Sequence, residues 1–369
     1  MMQVVFFLLS FLTILLGAHS IVYVSFIHFF SITDITQKYI LACILIFLSM
    51  SFFLSSVLAH LYENIFTRAL YFLSGFWLGL LVNSMLALIA VWLILWINRY
   101  ANLGVDKGLL GLFFFGLALF VSLYGVWNAF HPVVKHISVR IPGIPDVWKG
   151  KTIVQLSDVH LGHIYQAGFL KDVVEKVNTL HPKIVVITGD LFDGMDGHLD
   201  SLVQPLDSIE TENGIFFVSG NHETYLGVEK SLAVLRKTKV ILMQDEVLDV
   251  DGLKLIGVNY PNRGEEKDII TTLASLKDQF SGKPSVLLYH APKNIDEVRQ
   301  SGVNLFLAGH THQGQQFPFQ FITHIIHKGF DYGLYTFGDF ALYTTSGVGT
   351  WGPAMRIGTQ SEIVAITIE

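Results

Sequence analysis

The sequence predicts an α-helical membrane region of about four transmembrane helices, followed by an α/β domain. Three observations carry that prediction. Charge is almost absent from the first third, four long apolar runs fill it, and beyond residue 131 short β-type runs alternate with polar, helix-compatible stretches. The whole chain of 369 residues is 51% hydrophobic, with a mean hydropathy of +0.51.

The membrane region comes first. Residues 1–130 carry only Lys38, Arg68, Arg99 and Lys107 against Asp34, Glu63 and Asp106, whereas the remaining 239 residues hold 20 basic and 27 acidic side chains. A bilayer-spanning helix needs roughly 20 apolar residues, and the runs at about 3–30, 40–59, 69–97 and 109–128 supply them. The first run has no basic residues before it and no clear small-residue cleavage signal after it, so it reads as a retained anchor. Four such runs in a row, nearly free of charge, argue against buried core helices of a soluble domain. An even number of spans puts the N-terminus and the C-terminal domain on one side. Lys38, Arg99 and Lys107 then compete with Arg68, Lys135, Arg140 and Lys149, which decides no orientation. His19, His28, His60, Asn83 and Ser84, within or beside the spans, read as helix–helix hydrogen-bonding or interface groups ahead of a polar transport path.

The net charge of −6 argues against nucleic acid as a partner, because phosphate backbones are held by basic surfaces. The single cysteine, Cys43, excludes an intrachain disulfide and a cysteine-rich zinc site.

Residues 131–150 read as a linker and first strand, and 151–369 as the α/β domain. Strands are expected at Ile137–Ile141, Thr152–Leu156, Ile184–Thr188, Ile215–Ser219, Leu253–Val258, Ser285–Tyr289, Val303–Leu307, Ala341–Thr345 and Ile363–Ile368. Helices are expected at Gly168–Leu180, Gly227–Lys237, Glu265–Phe280 and Asn294–Ser301. Five of the strands run into loops rich in Asp, Asn and His. These are Ser157-Asp158-Val159-His160, Gly189-Asp190-Leu191-Phe192-Asp193, Gly220-Asn221-His222-Glu223, His290, and Gly309-His310-Thr311-His312. In open α/β sheets ligands bind beyond the carboxyl ends of strands, so the five loops can converge on one crevice. Imidazole, carboxylate and amide oxygen suit borderline first-row divalent metals. Each piece alone is weak; all five in order, each after a strand, are not coincidence.

These blocks resemble the calcineurin-like metallophosphoesterases over residues 150–369. Gly309-His310-Thr311-His312-Gln313-Gly314-Gln315 and Ser346-Gly347-Val348-Gly349 resemble its YkuE-like branch, which includes members with N-terminal transmembrane helices. Gln313 stands where that branch often has Gly. The resemblance implies a sandwich of two mixed sheets flanked by helices, with a two-metal centre at its edge. It implies that Asp158, His160, Asp190 and His312 hold one divalent ion, that Asp190 bridges to a second, and that Asn221, His290 and His310 complete that one. His222 is then the proton donor to the leaving oxygen, with Asp193 as its orienting partner or as a carboxylate behind the ligands. Manganese is the first choice of metal, with iron, zinc or cobalt as alternatives. The reaction implied is hydrolysis of a phosphoester or pyrophosphate bond by a metal-bound hydroxide.

Three further readings concern the surroundings. His163 lies near the ligands and is either a substrate contact or simply exposed, and Tyr225 could line the pocket. The aromatic stretch from Phe317 to Phe337 reads either as a core flap or as an interfacial surface facing lipid, while His324 and His327 within it match no ligand role. Only about 23 residues separate Asn128 from Thr152, at most ~80 Å of extended chain, so the domain is tethered near the bilayer. A lipid or lipid-linked phosphoester is therefore the expected substrate. By analogy with the branch, the domain is expected on the extracytoplasmic side of the cell (plasma or inner) membrane. The alternative is a transporter or receptor regulated by an attached phosphoesterase domain.

Overall fold

The computed structural model describes residues 2–194, 199–262, 264–265 and 267–369. It forms two units, one ending at Trp127 and one from Asn128 to Glu369.

Four helices make up the first unit: α1 (Met2–Phe29), α2 (Ile35–Leu61), α3 (Ile65–Ala101) and α4 (Lys107–Ala129). All four are long and apolar enough to cross a membrane. Their boundaries follow from local capping. Asp34 accepts from the Gln37 amide to start α2, and Asn64 with Thr67 forms a reciprocal box at the head of α3. At 37 residues, α3 is about 55 Å long and exceeds the hydrocarbon thickness of ~30 Å. The expected 69–97 run is its apolar middle. Polar side chains inside the bundle join helices, as expected of hydrogen-bonding groups. Trp77 Nε1 donates to His19 Nε2 at 3.0 Å, Asn83 donates to Ser122 Oγ at 2.7 Å, and the Ser55 and Ser74 hydroxyls meet at 2.6 Å.

The second unit runs β1 (Val133–Val139), β2 (Thr152–Leu156), α5 (Ala167–Asn178), β3 (Ile184–Thr188), α6 (Leu199–Val203), β4 (Ile215–Val218), α7 (Asn221–Leu226), α8 (Val228–Leu235) and β5 (Val240–Leu242). It continues with β6 (Glu246–Val250), β7 (Leu253–Gly257), α9 (Ile269–Phe280), β8 (Ser285–Leu288), α10 (Ile295–Gln300), β9 (Leu305–Ala308) and α11 (Phe319–Ile326). Strands β10 (Gly333–Phe337), β11 (Phe340–Thr344) and β12 (Glu362–Ile368) close it. Two mixed six-stranded sheets result, in the orders β1-β12-β2-β3-β4-β5 and β10-β11-β9-β8-β7-β6.

Side-chain alternation assembles the layers. Ile153, Ile184 and Val186 of the first sheet meet Leu255, Val286, Leu288 and Leu307 of the second in a shared core. Their neighbours Val154, Val185 and Ile187 point to the other face, under Phe169 and Val173 of α5 and Leu232 of α8. On the far side, Ile256, Leu287 and Phe306 lie under Leu273 of α9 and Val298 of α10. Because β2, β3 and β4 are parallel, as are β8 and β9, their carboxyl ends open on one edge.

Several expectations are corrected. The first strand begins at Val133 rather than Ile137, because it pairs in parallel with β12 from Val133 opposite Glu362 to Val139 opposite Ile368. Only residues 130–132 therefore separate α4 from β1, a reach of about 10 Å, and the strand shortens the stretch from Asn128 to Thr152 well below its ~80 Å limit. The helix expected from Glu265 begins at Ile269, where Asp268 accepts from the Thr271 amide; Glu266 lies outside the described residues. Strands β5, β6 and β10 and helices α6, α7 and α11 were not anticipated.

Candidate metal centre

The loops beyond β2, β3, β4, β8 and β9 carry the chemistry, and their backbone is unusual. Asp158, His160, Asp190, His310 and His312 all have φ between 49° and 73°. Non-glycine residues rarely occupy that left-handed region, and such conformations cluster at functional sites. Two glycines make the close approach possible. A Cβ at Gly220 would strike the Asp190 carboxylate, and one at Gly309 would strike Ser157 Oγ and Asp158 Oδ2.

The donors fall into two adjoining groups, and a third group, His160, Asp193 and His222, shares His160 with the first. Ligand-type atoms of Asp158, His160 and His312 lie within 4.8 Å of one another, and so do those of Asp190, His290 and His310. In the first group His160 Nε2 is 3.1 Å from His312 Nε2, which is 3.3 Å from Asp158 Oδ1. In the second, His290 Nε2 lies 3.1 Å from Asp190 Oδ2, 3.0 Å from Asn221 Oδ1 and 3.2 Å from His310 Nδ1. Asp190 Oδ2 is also 3.9 Å from His160 Nε2, so this carboxylate stands between the groups. All seven residues expected as ligands are thus brought together.

His222 and Asp193 border this cluster. His222 Nδ1 donates to the Asp193 main-chain carbonyl at 2.9 Å, and the His222 amide donates to Asp190 Oδ1 at 2.8 Å. The Asp193 carboxylate instead faces His160 Nδ1 at 3.3 Å. Asp193 thus reaches His222 through its carbonyl and His160 through its carboxylate. Tyr225 is exposed with its ring 5.2 Å from that of His222, at the edge of the cluster. His163 is buried, which rules out the reading that it is simply exposed. Phe330 and Tyr335 pack on the core beneath α9 and α10, whereas Phe317, Phe319, Phe321 and Phe337 are exposed. The aromatic stretch is thus part flap and part surface.

Two supporting residues were missed. Glu223, wholly buried, accepts from the amides of Gly220 at 2.7 Å, Asp190 at 2.9 Å and Phe192 at 3.1 Å, tying the β3 and β4 loops together. Arg356, equally buried, donates to the carbonyls of Ser346, Gly349 (2.7 Å) and His312 (3.2 Å), with Nη2 3.3 Å from His312 Nδ1. A charged residue inside the largely apolar run Pro353–Ile357 was the available signal.

Electrostatics suit a cation. Burial works against ionisation of Asp190, but the charge and hydrogen bond of His290, then His222 and His160, hold its carboxyl well below the ordinary range. Burial also disfavours a charged His290, yet Asp190 and Asp158 push it up to about 9. Burial, then the charge of His290, drives His310 down to about 3, and burial and the charge of His160 drive His312 well below its ordinary value. His310 and His312 are therefore neutral, with lone pairs available, beside an ionised carboxylate. Those three groups are in the state a divalent metal needs, whereas His290 must release its proton on binding; the oxygen and nitrogen donors without thiolate fit borderline ions.

Comparison with known proteins agrees with this chemistry. The family model for calcineurin-like phosphoesterases matches residues 151–314. A metallophosphoesterase of Campylobacter jejuni is 36% identical over 257 residues, covering 69% of this chain and 68% of its own. A Danio rerio protein described as a transmembrane protein with metallophosphoesterase domain is 30% identical over 270 residues, or 68% and 60% of the two chains. YkuE of Bacillus subtilis, a metallophosphoesterase, is 28% identical over 250 residues, or 61% and 82%. Among solved structures, a 5′-nucleotidase precursor of Thermus thermophilus superposes with a TM-score of 0.34 and 16% identity. The match covers 59% of this chain and only 54% of the nucleotidase, a likeness that carries no functional argument.

Proposed function

The chain belongs to the calcineurin-like metallophosphoesterase family, and on that premise we propose that it is a membrane-anchored, dinuclear-metal phosphoesterase acting on a lipid or lipid-linked phosphoester or pyrophosphate. Its family makes it a metal-dependent phosphoesterase, and its four apolar helices and transmembrane relative point to a membrane protein. The observation that carries the dinuclear reading is the meeting of two donor groups at Asp190.

In this reading residues 1–130 form the membrane domain, 131–150 the linker and first strand, and 151–369 the catalytic domain. Asp158, His160, Asp190 and His312 hold one ion, and Asp190, Asn221, His290 and His310 the other; manganese is the first choice, with iron, zinc or cobalt as alternatives. When bound, two divalent ions supply Lewis-acid polarisation of the phosphoryl oxygens and a nucleophile drawn from water near neutral pH.

The protein side chains do the rest. Asp193 fixes His160 through its carboxylate and His222 through its carbonyl. Burial and the charge of His160 lower the pKa of His222, so its cation gives up a proton readily: with Nδ1–H committed to that carbonyl, the protonated ring would give Nε2–H to the leaving oxygen, and the neutral imidazole left behind retains the same Nδ1–H bond. No nucleophilic Ser or Cys is needed.

The short tether from α4 to β1 supports a substrate held in the bilayer. A transporter role has less support, since buried His19 and Asn83 are engaged in bonds between helices. We place the catalytic domain on the extracytoplasmic side, by analogy with the YkuE-like branch. A reporter fused after Glu369 tests that: phosphatase activity supports it, and fluorescence from a reporter that matures only in the cytoplasm overturns it. Substrate class is tested by assaying purified full-length protein on phospholipids, lipid-linked pyrophosphates and soluble phosphoesters. Preference for a lipid class supports the reading, and turnover of soluble esters alone contradicts it.

A further inference from the structure

Helix α11 is amphipathic the wrong way round for a water-soluble surface. A surface helix normally turns its apolar stripe toward the core. In α11 the side chains Phe321, Ile322, Ile325 and Ile326, spaced i, i+1, i+4 and i+5, share one face and are 64%, 54%, 76% and 66% exposed. On the opposite face Gln320 is turned to the domain, and His324, itself 65% exposed, reaches the buried Asp331. Gln320 Nε2 donates to the Ile357 carbonyl at 2.9 Å, and His324 Nδ1 lies 2.8 Å from Asp331 Oδ1. The His327 ring, just past the helix, sits 6.0 Å from that of His310. The helix is thus held by its polar side, one residue's ring away from a candidate metal ligand.

We propose that the outward apolar face of α11 lies in the headgroup–acyl boundary of the bilayer, seating the metal centre at the level of lipid phosphates. The inference deepens the lipid-phosphoesterase reading and rests on it for the identity of the substrate. Bilayer is the occupant the observations favour, because only three residues of chain join α4 to the domain's first strand, and the exposed face is wholly apolar. Phe317, Phe319 and Phe337 extend the same exposed apolar surface, and aromatic rings are favoured at membrane interfaces.

The test reads position, not turnover. Cys43, the single cysteine, is replaced by Ser in the full chain. Single cysteines are then placed at Ile325→Cys, at Ile322→Cys and, as a control at an exposed position just past α8, at Lys237→Cys, and labelled with a small fluorophore. The proteins are reconstituted in phosphatidylcholine–phosphatidylglycerol vesicles. Nitroxide-bearing lipid should quench the labels at 322 and 325 severalfold more than the one at 237, and aqueous iodide should do the reverse. Iodide access equal to that at 237 overturns the proposal by leaving the face in water. Protection from both quenchers overturns it in favour of a protein cover, either the protein's own spans or a second copy. Two positions guard against one variant that fails to fold. Lipid-quenched labels without lipid hydrolysis would remove the substrate reading alone, and lipid hydrolysis with labels in water would remove this inference alone.

Discussion

His160 and His312, 152 residues apart in the chain, face each other with their Nε2 atoms 3.1 Å apart. Each is backed by a charge of opposite sign: Asp193 Oδ1 lies 3.3 Å from His160 Nδ1, and Arg356 Nη2 lies 3.3 Å from His312 Nδ1. Two imidazole nitrogens at that range can share one proton, whereas a divalent cation takes both lone pairs. The arrangement explains why two histidines converge in a closed interior with Asp158 and Asp190 beside them.

Loss of His222 should depend on the leaving group. His222→Ala should lower kcat by ~10²–10⁴ for esters with poor leaving groups, the usual worth of a positioned acid. An activated aryl phosphate, whose leaving group needs no proton, should lose far less. Equal losses on both substrates would assign His222 a structural role.

Glu223 should make the metal-free protein less stable as pH rises. Burial, and then the charge of Asp190, push its carboxyl from an ordinary 4.5 up to about 7. Between those values the folded protein holds a proton that the unfolded chain has released, so stability falls with rising pH across about 4.5–7 and levels off above it. In chelated samples the wild type should lose Tm relative to Glu223→Gln through that window. Identical Tm-against-pH slopes would contradict the account.

The candidate site was legible because its strands are buried on both faces. β3, β4, β8 and β9 read as largely apolar runs and β2 as one interrupted only by Gln155, and each leads within a few residues to an Asp, Asn or His. β5, β6 and β10 are short or half exposed and offer no such run. Gly220-Asn221-His222 reads as a turn, yet Asn221 opens helix α7 because Glu223 folds back onto the Gly220 amide. The direction in which α11 faces is invisible locally, since apolar residues look the same under a flap or outside it. Arg356 was missed because its partners lie 7 to 44 residues away.

Arg356 should matter for metal retention rather than for chemistry. It pins the His312 carbonyl and the Ser346 and Gly349 carbonyls behind the first donor group. Arg356→Met should weaken metal binding by ~10–100-fold, the usual effect of removing a partner that orients a ligand. With saturating metal, kcat should recover most of its value. Unchanged metal affinity, or a kcat loss that metal does not rescue, would contradict that role.

Metal content measured against turnover tests the central claim most directly. Full-length protein is stripped with chelator, assayed on a soluble aryl phosphodiester, and titrated with Mn²⁺ while bound metal is counted. The account predicts no hydrolysis after stripping and recovery on binding of two ions per chain. It also predicts that Asp190→Asn, which stands between both donor groups, loses more activity than Asn221→Ala or His312→Ala. Full hydrolysis by the stripped protein would contradict it.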